Sequence, residues 1–159
     1  MLKIPDESEM MPLSAIETVM NEKIPFNVLL GLRCETMERG FVRGRIPFKK
    51  ELIGDATRPA IHGGVLSSFS DATCGAAVFT MLRLGDTCST IDLRIDYLRP
   101  GLEQDIIAEG RVLRIGGQVA VAEARLFQDS GEDIAVAKAV FMVRRKQEKD
   151  PGKTLMEDV

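Results

Sequence analysis

The chain has no tryptophan, one tyrosine, one histidine and three cysteines in 159 residues, and aromatics make up 5% of it. So few rings give little on which single-stranded bases could stack. Basic side chains number 21 against 24 acidic ones, a formal net charge of −3, so the positive footprint of a nucleic-acid binder is missing too. Cys34, Cys74 and Cys88 are odd in number and show no CxxC spacing. Neither a disulfide framework nor a structural zinc site, which takes four Cys or His ligands, is expected. A Ser-His-Asp triad would have to use His62, and no GxSxG elbow accompanies it. The acidic start MLKIPDESEMM does not read as a signal peptide, and no apolar run reaches the length of a membrane span. The expectation is a reduced, cytoplasmic protein that binds neither nucleic acid nor membrane.

What is present suits one domain. The composition is 45% hydrophobic and 28% charged, enough for a real core and a soluble surface. Ser14 to Asn21 reads as a short helix with a Ser14/Glu17 capping box, ended by Pro25. Arg33–Glu38 and Phe41–Phe48 alternate around Arg39-Gly40 as a hairpin. After a polar loop, His62 to about Arg83 is helical. Four strands follow as a meander: Thr87–Leu98, Glu103–Ile115, Gln118–Gln128 and Ile134–Arg145, with Gly116-Gly117 as a two-residue turn signal. Residues 1–24 form an N-terminal segment with its helix, 25–146 the domain, and 147–159 a charged, aperiodic tail. Scarce long helices and plentiful strands predict an α+β architecture, an antiparallel sheet with one helix packed on it.

That helix carries the most information. Gly63, Gly64, Ser67, Ser68, Ser70, Ala72, Thr73, Cys74, Gly75, Ala76 and Ala77 are small, and between His62 and Thr80 the one charged side chain is Asp71. A solvent-facing helix would carry Lys and Glu, so this one is expected to be enclosed on every side. Each glycine lowers helix propensity by roughly 1 kcal/mol, which close packing would offset. Asp71 has three readings: a buried structural carboxylate, a metal ligand for which no second ligand lies at useful spacing, or a catalytic base or nucleophile. Gly63 and Gly64 offer backbone N–H groups at the helix N-terminus, where developing negative charge is stabilised. Eight residues separate Gly63 from Asp71, about 12 Å along the axis and roughly 80° around it. One carbonyl cannot touch both groups of the same helix. Two antiparallel copies could share it at a dimer interface.

These residues also carry a family resemblance. The run His62-Gly63-Gly64-Val65-Leu66 followed by Asp71 resembles the HGG-plus-acid signature of hotdog-fold thioesterases. Thr90-Ile91-Asp92 and Ile95-Asp96-Tyr97-Leu98-Arg99-Pro100-Gly101 resemble the strand and turn after the helix in the PaaI-type branch, and the likeness covers roughly Pro25 to Arg145. It implies a hotdog fold, an antiparallel sheet wrapped around one long central helix, and hydrolysis of an acyl-CoA thioester by a homodimer or homotetramer. No metal and no cofactor beyond the substrate's own coenzyme A are implied. Asp71 matches the catalytic acid, Gly63 the oxyanion donor and His62 the motif histidine. Thr90 matches a hydroxyl position near the attacking water. A ring that orients the helix start and an ordinary strand threonine are the structural readings of His62 and Thr90. One departure stands out. Many relatives carry Asn or Gln about six residues before the histidine, whereas Asp55-Ala56-Thr57-Arg58-Pro59 has no amide side chain.

Coenzyme A brings phosphates, for which Arg58, Arg99 and Arg114 are candidate partners from loop-edge positions. Gly64 and the turn at Gly117 are candidate contacts for the thioester and the pantetheine arm. Residues Phe26–Leu30, the helix 14–21 and the loop before His62 are expected to line the acyl pocket. Two alternatives use the same cleft: a hotdog hydratase or dehydratase, which needs a histidine beside the carboxylate, and a non-catalytic acyl-CoA binding module.

Overall fold

Two glycines and a ladder of alanines decide where the long helix lies. The computed structural model describes residues 6–55 and 57–146, so the expected tail at 147–159 lies outside the described residues, as does Ala56. The chain runs α1 (Leu13–Thr18), α2 (Pro25–Leu30), β1 (Arg33–Glu38), β2 (Phe41–Ile46), α3 (Gly63–Phe79), β3 (Thr87–Tyr97), β4 (Ile106–Ile115), β5 (Val119–Phe127) and β6 (Asp133–Arg144). Among the described residues six strands form one antiparallel sheet in the order β1-β2-β4-β5-β6-β3, and α3 packs across it.

The inward faces of β4, β5 and β6 carry Ala108, Gly110, Ala120, Ala122, Ala124, Ala135, Ala137 and Ala139, all buried. These small residues let the helix backbone come close. A Cβ on Gly110 would lie 2.8 Å from the Thr73 carbonyl oxygen, and one on Gly44 would lie 3.3 Å from the Phe69 ring. Phe69 is fully buried over Gly44, and Thr73 turns its hydroxyl back to the Phe69 carbonyl at 2.7 Å. Leu66, Phe69, Ala77 and Val78 of α3 join Val42, Ile46, Ile106 and Leu126 of the sheet in the core. Ile16 and Met20 from the N-terminal segment enter the same cluster. No helix among the described residues is long and apolar enough to cross a membrane.

The β1–β2 hairpin turns at Arg39-Gly40 as expected, with Gly40 at φ 78°, a left-handed conformation that glycine adopts without strain. The β4–β5 hairpin also forms, although its tip is Gly117-Gln118, since Gly116 N donates to the Val119 carbonyl at 2.8 Å.

Four expectations are corrected. Only β4, β5 and β6 form a meander. β3 pairs with β6 at the far edge, because α3 carries the chain across the sheet, and residues 98–105 bring it back beside β2. The sequence has no local marker for that crossing. Pro25, read as a stop, occupies the first turn of α2, where its missing N–H is harmless, and a π-turn (Val19–Lys23) links α1 to it. Ser14 caps nothing: α1 starts at Leu13 after Pro12, and the Ser14 carbonyl accepts from Thr18 Oγ1 at 2.9 Å. Lastly, α3 ends at Phe79 rather than near Arg83, closed by Thr80. The Thr80 hydroxyl donates to the Ala77 carbonyl at 2.6 Å and accepts from Gly40 N at 2.7 Å.

Gly110→Ala would push a methyl into the Thr73 carbonyl, which belongs to backbone and cannot rotate away. The expected outcome is a loss of about 1–3 kcal/mol in denaturant unfolding, whereas Gly117→Ala, with nothing within 4 Å of its Cβ, should be nearly neutral.

Candidate active site

His62 is held from below and in turn holds the start of α3. Gly54 N donates to the Ala60 carbonyl at 2.9 Å, His62 N to the Leu52 carbonyl at 2.8 Å, and Ile53 bridges Ile61. Gly54 lies so close that a Cβ there would sit 2.8 Å from the His62 Cα. The imidazole Nδ1 then accepts from Gly64 N at 2.9 Å, an N-terminal cap supplied by a ring nitrogen. Val65 N turns back to the His62 carbonyl at 2.9 Å. Of the two glycine N–H groups expected to be bare, Gly64's is therefore occupied. Gly63 N has no partner among the described residues. The amide at the very start of the helix is the one left to meet an anion.

The helix is not enclosed on every side within the chain. Gly64, Ser67, Ser68, Asp71, Ala72, Gly75 and Phe79 recur at helical spacing and remain half-buried or exposed. The sheet covers the opposite face of α3, and this stripe of small residues is left as the floor of two cavities. One, of about 340 Å³, holds Asp71 with Ser68, Cys88, Ser89 and Thr90 among Met20, Ile24, Phe26, Ala72, Phe79 and Phe141. Asp71 is the only carboxylate in that lining. The second, of about 750 Å³, is lined by Phe26, Leu29, Leu30, Leu52, Ile53, His62, Gly64, Val65 and Ser68, with Lys49 and Glu51. Phe26 and Ser68 belong to both. Of the apolar residues expected along an acyl pocket, Met20, Ile24, Phe26, Leu29 and Leu30 line these cavities, and Val28 lines neither.

Thr90 and Asp71 are brought together. The Thr90 hydroxyl donates to Asp71 Oδ1 at 2.8 Å. A bulge makes this possible: Thr90 pairs with Phe141 and Asp92 with Val140, leaving Ile91 as an extra residue that turns the strand. With one oxygen so fixed, the other can serve a water or a substrate in the cavity. Beside it, burial and then the negative charge of Asp71 push the Cys88 thiol up to about 12. Burial, followed by Asp71 and Glu123, does the same to Cys74 on the sheet side of the helix. Both thiols therefore stay protonated and poorly nucleophilic at neutral pH.

His62 and Asp71 are not brought together. The ring caps the helix N-terminus and lines the other cavity. Gly63 sits beyond it in a third recess with Ile61, Leu66, Tyr97, Leu98, Arg99 and Pro100. The candidate phosphate partners are scattered. Arg58 is exposed and paired with Asp55 at 3.2 Å. Arg99 shares the recess of Gly63 and donates to the Asp133 carbonyl at 2.9 Å. Arg114 and Gly117 are exposed around the β4–β5 tip. There the row Ile115–Ala120–Phe141–Thr90 crosses the sheet, so they share the end that holds Asp71. Composition and motifs missed Ser68, Phe79, Cys88 and Phe141 as cavity lining. The i+3/i+4 spacing of 68, 71, 72, 75 and 79, and the alternation of 88 and 90, could have found three of them.

One carboxylate oriented by a hydroxyl beside an apolar cavity and, in a separate recess, a helix N-terminus with a spare amide are the candidate features on this helix-and-sheet scaffold. The chain belongs to the thioesterase superfamily, whose family model matches residues 59–135. It is 35% identical over 133 residues to the medium/long-chain acyl-CoA thioesterase YigI of Salmonella typhimurium, covering 76% of this chain and 86% of that one; the Escherichia coli protein of the same name matches equally. A Shewanella oneidensis protein related to the thioesterase superfamily superposes with a TM-score of 0.71 at 33% identity, over 82% of this chain and 94% of that one. The E. coli PaaI protein of the phenylacetic acid degradation operon shares the fold, with a TM-score of 0.75 at 20% identity over 85% and 94% of the two chains. The hotdog architecture that the sequence resemblance implied is the one observed.

The thiol chemistry yields a direct check. Alkylation of Cys88 by iodoacetamide at pH 7 is expected to be orders of magnitude slower than that of a free cysteine and to rise about tenfold per pH unit between pH 8 and 10. Asp71→Asn removes one of the two causes, so labelling should quicken. Rapid, pH-independent labelling, read by mass spectrometry, would contradict the site as described.

Proposed function

We propose that this protein hydrolyses medium- to long-chain acyl-CoA thioesters, with Asp71 of one chain and the Gly63 N–H of a second chain acting on the same carbonyl. The observation that carries it is the lone carboxylate, oriented by Thr90, in an otherwise uncharged apolar cavity. The chemistry named for the YigI relatives supplies the substrate class, and the two neighbouring cavities, which share Phe26 and Ser68 in their linings, suit an acyl chain in size and apolarity. Asp71 serves as general base or as nucleophile while the Gly63 amide stabilises the oxyanion. The route requires neither metal nor organic cofactor.

Two chains are needed because Gly63 and Asp71 lie on one continuous 17-residue helix, about 12 Å apart along its axis. Support for pairing comes from β3. It is an edge strand of 11 residues, with Ile91 at 55% and Tyr97 at 52% exposure. A long strand edge left unpaired invites association. Antiparallel pairing of two β3 strands would bring the end of one chain that holds Asp71, Arg114 and Gly117 toward the end of the other that holds Gly63 and Arg99. Those arginines would then meet the phosphates of one coenzyme A. A homodimer, alone or doubled into a tetramer, in the cytoplasm is the form proposed.

A panel of acyl-CoAs of increasing chain length, with released thiol read colorimetrically, tests the reading. Turnover should peak at medium to long chains. Asp71→Asn keeps the shape and loses the base, so kcat should fall roughly a hundredfold or more. Binding without thiol release would make the protein a non-catalytic acyl-CoA module. Hydration of crotonyl-CoA in place of hydrolysis would make it a hydratase, against which the capping role of His62 stands. Oxygen-18 entering the Asp71 carboxylate in a single turnover would assign the nucleophilic route.

A further inference from the structure

Two successive glycines open α3, and glycine is the residue least able to hold its own backbone. The Gly64 amide is tied to His62 Nδ1 and the Val65 amide to the His62 carbonyl. Gly63 is tied from the other direction. The hydroxyl of Tyr97, the chain's one tyrosine, donates to the Gly63 carbonyl at 3.1 Å. Its ring lies against the same residue: a Cβ on Gly63 would come 3.2 Å from Tyr97 Cε1 and 3.3 Å from Cζ. The ring occupies the space that a side chain would take, and the hydroxyl fixes the peptide above it. Tyr97 is itself anchored, as the last residue of β3 paired with Ala135 of β6. At the other end of that strand, Thr90 holds Asp71.

We propose that Tyr97 is a positioning residue for thioester hydrolysis: its hydrogen bond to the Gly63 carbonyl fixes the Gly63–Gly64 peptide and its ring packs on Gly63, and together these hold the residue that carries the Gly63 amide N–H. The proposal rests on the reading that this amide is the oxyanion donor. A preorganised donor stabilises the transition state more than the bound thioester, because the full negative charge appears only there. Loosening it should therefore lower kcat and leave KM alone. Within one chain the same strand thus touches the acid of one proposed site near its start and the oxyanion donor of the other site at its end.

Tyr97→Phe keeps the ring and removes only the hydroxyl. The expected result is a fall in kcat of about three- to tenfold, the worth of one hydrogen bond, with KM unchanged to within about twofold. Backbone amide exchange at Gly64 and Val65 should quicken, while that of the C-terminal half of α3 stays as in the wild type. Combined with Gly63→Ala, whose methyl displaces the ring, Tyr97→Phe should change kcat by less than about twofold, because the two act through one residue. An unchanged kcat, a rise in KM alone, or an equal loss in both backgrounds would overturn the assignment. If Gly63→Ala turns over too slowly to measure, exchange decides alone, and unchanged protection of Gly64 and Val65 in Tyr97→Phe overturns it. Full activity of Gly63→Ala itself would instead overturn the oxyanion reading, whatever Tyr97→Phe does.

Discussion

The close seating of α3 on the sheet at Gly110 and Gly44 is the constraint on which the rest of the structure depends. With the Thr73 carbonyl where a Gly110 side chain would stand, and Phe69 over Gly44, the helix sits closer to the sheet than a larger residue at either position would allow. Alanines on β5 and β6 extend this bed, and the packing fixes which stripe of the helix faces away from it. The consequence is chemical. Asp71 is presented on the open stripe, among serines, alanine and glycine too small to fill the space above them. The cavities follow from the same choice of small residues that seats the helix. Apolar walls are then added from the N-terminal turns by Met20, Ile24 and Phe26.

Strand β3 translates that placement into site geometry. Its bulge at Ile91 turns Thr90 toward Asp71, and its last residue, Tyr97, reaches the first residue of the helix. As an edge strand it is held on one side only, by β6. A structural edge thus coincides with the line along which the proposed second chain would complete the site. His62 belongs to this frame through its cap on Gly64, a structural use of the motif histidine that leaves Gly63's amide as the spare donor.

Much of this was legible in the sequence, and the reasons for what was not are specific. Thr90, which does meet Asp71, was named only through the family resemblance, while the small-residue composition around Asp71 and the two glycines at the helix start were legible because close packing and helix termini impose local residue types. The hairpins at Gly40 and after Ile115 were visible for the same reason. The position of β3 was not, since strand neighbours are chosen by long-range packing of α3, and nothing in residues 98–105 distinguishes a return crossing from a loose turn. α2 was missed because six residues are too few to show a helical period. The openness of one helix face was missed because smallness on all sides has two causes, a close sheet on one side and a cavity on the other, and composition does not separate them. Arg58, Arg99 and Arg114 were named by charge and loop-edge position. One chain spreads them over separate regions, and the two-chain site proposed above would bring Arg99 and Arg114 toward one another.

The central claim, one site built from two chains, is tested most directly by subunit mixing. Asp71→Asn and Gly63→Val homodimers should each be nearly inactive. Co-refolded in equal amounts, half of the dimers are heterodimers in which one site carries both defects and the other carries neither, so activity should return to about a quarter of the wild-type value. A mixture proven to contain heterodimers that stays inactive would mean that Gly63 and Asp71 do not meet across chains, and the account would be wrong.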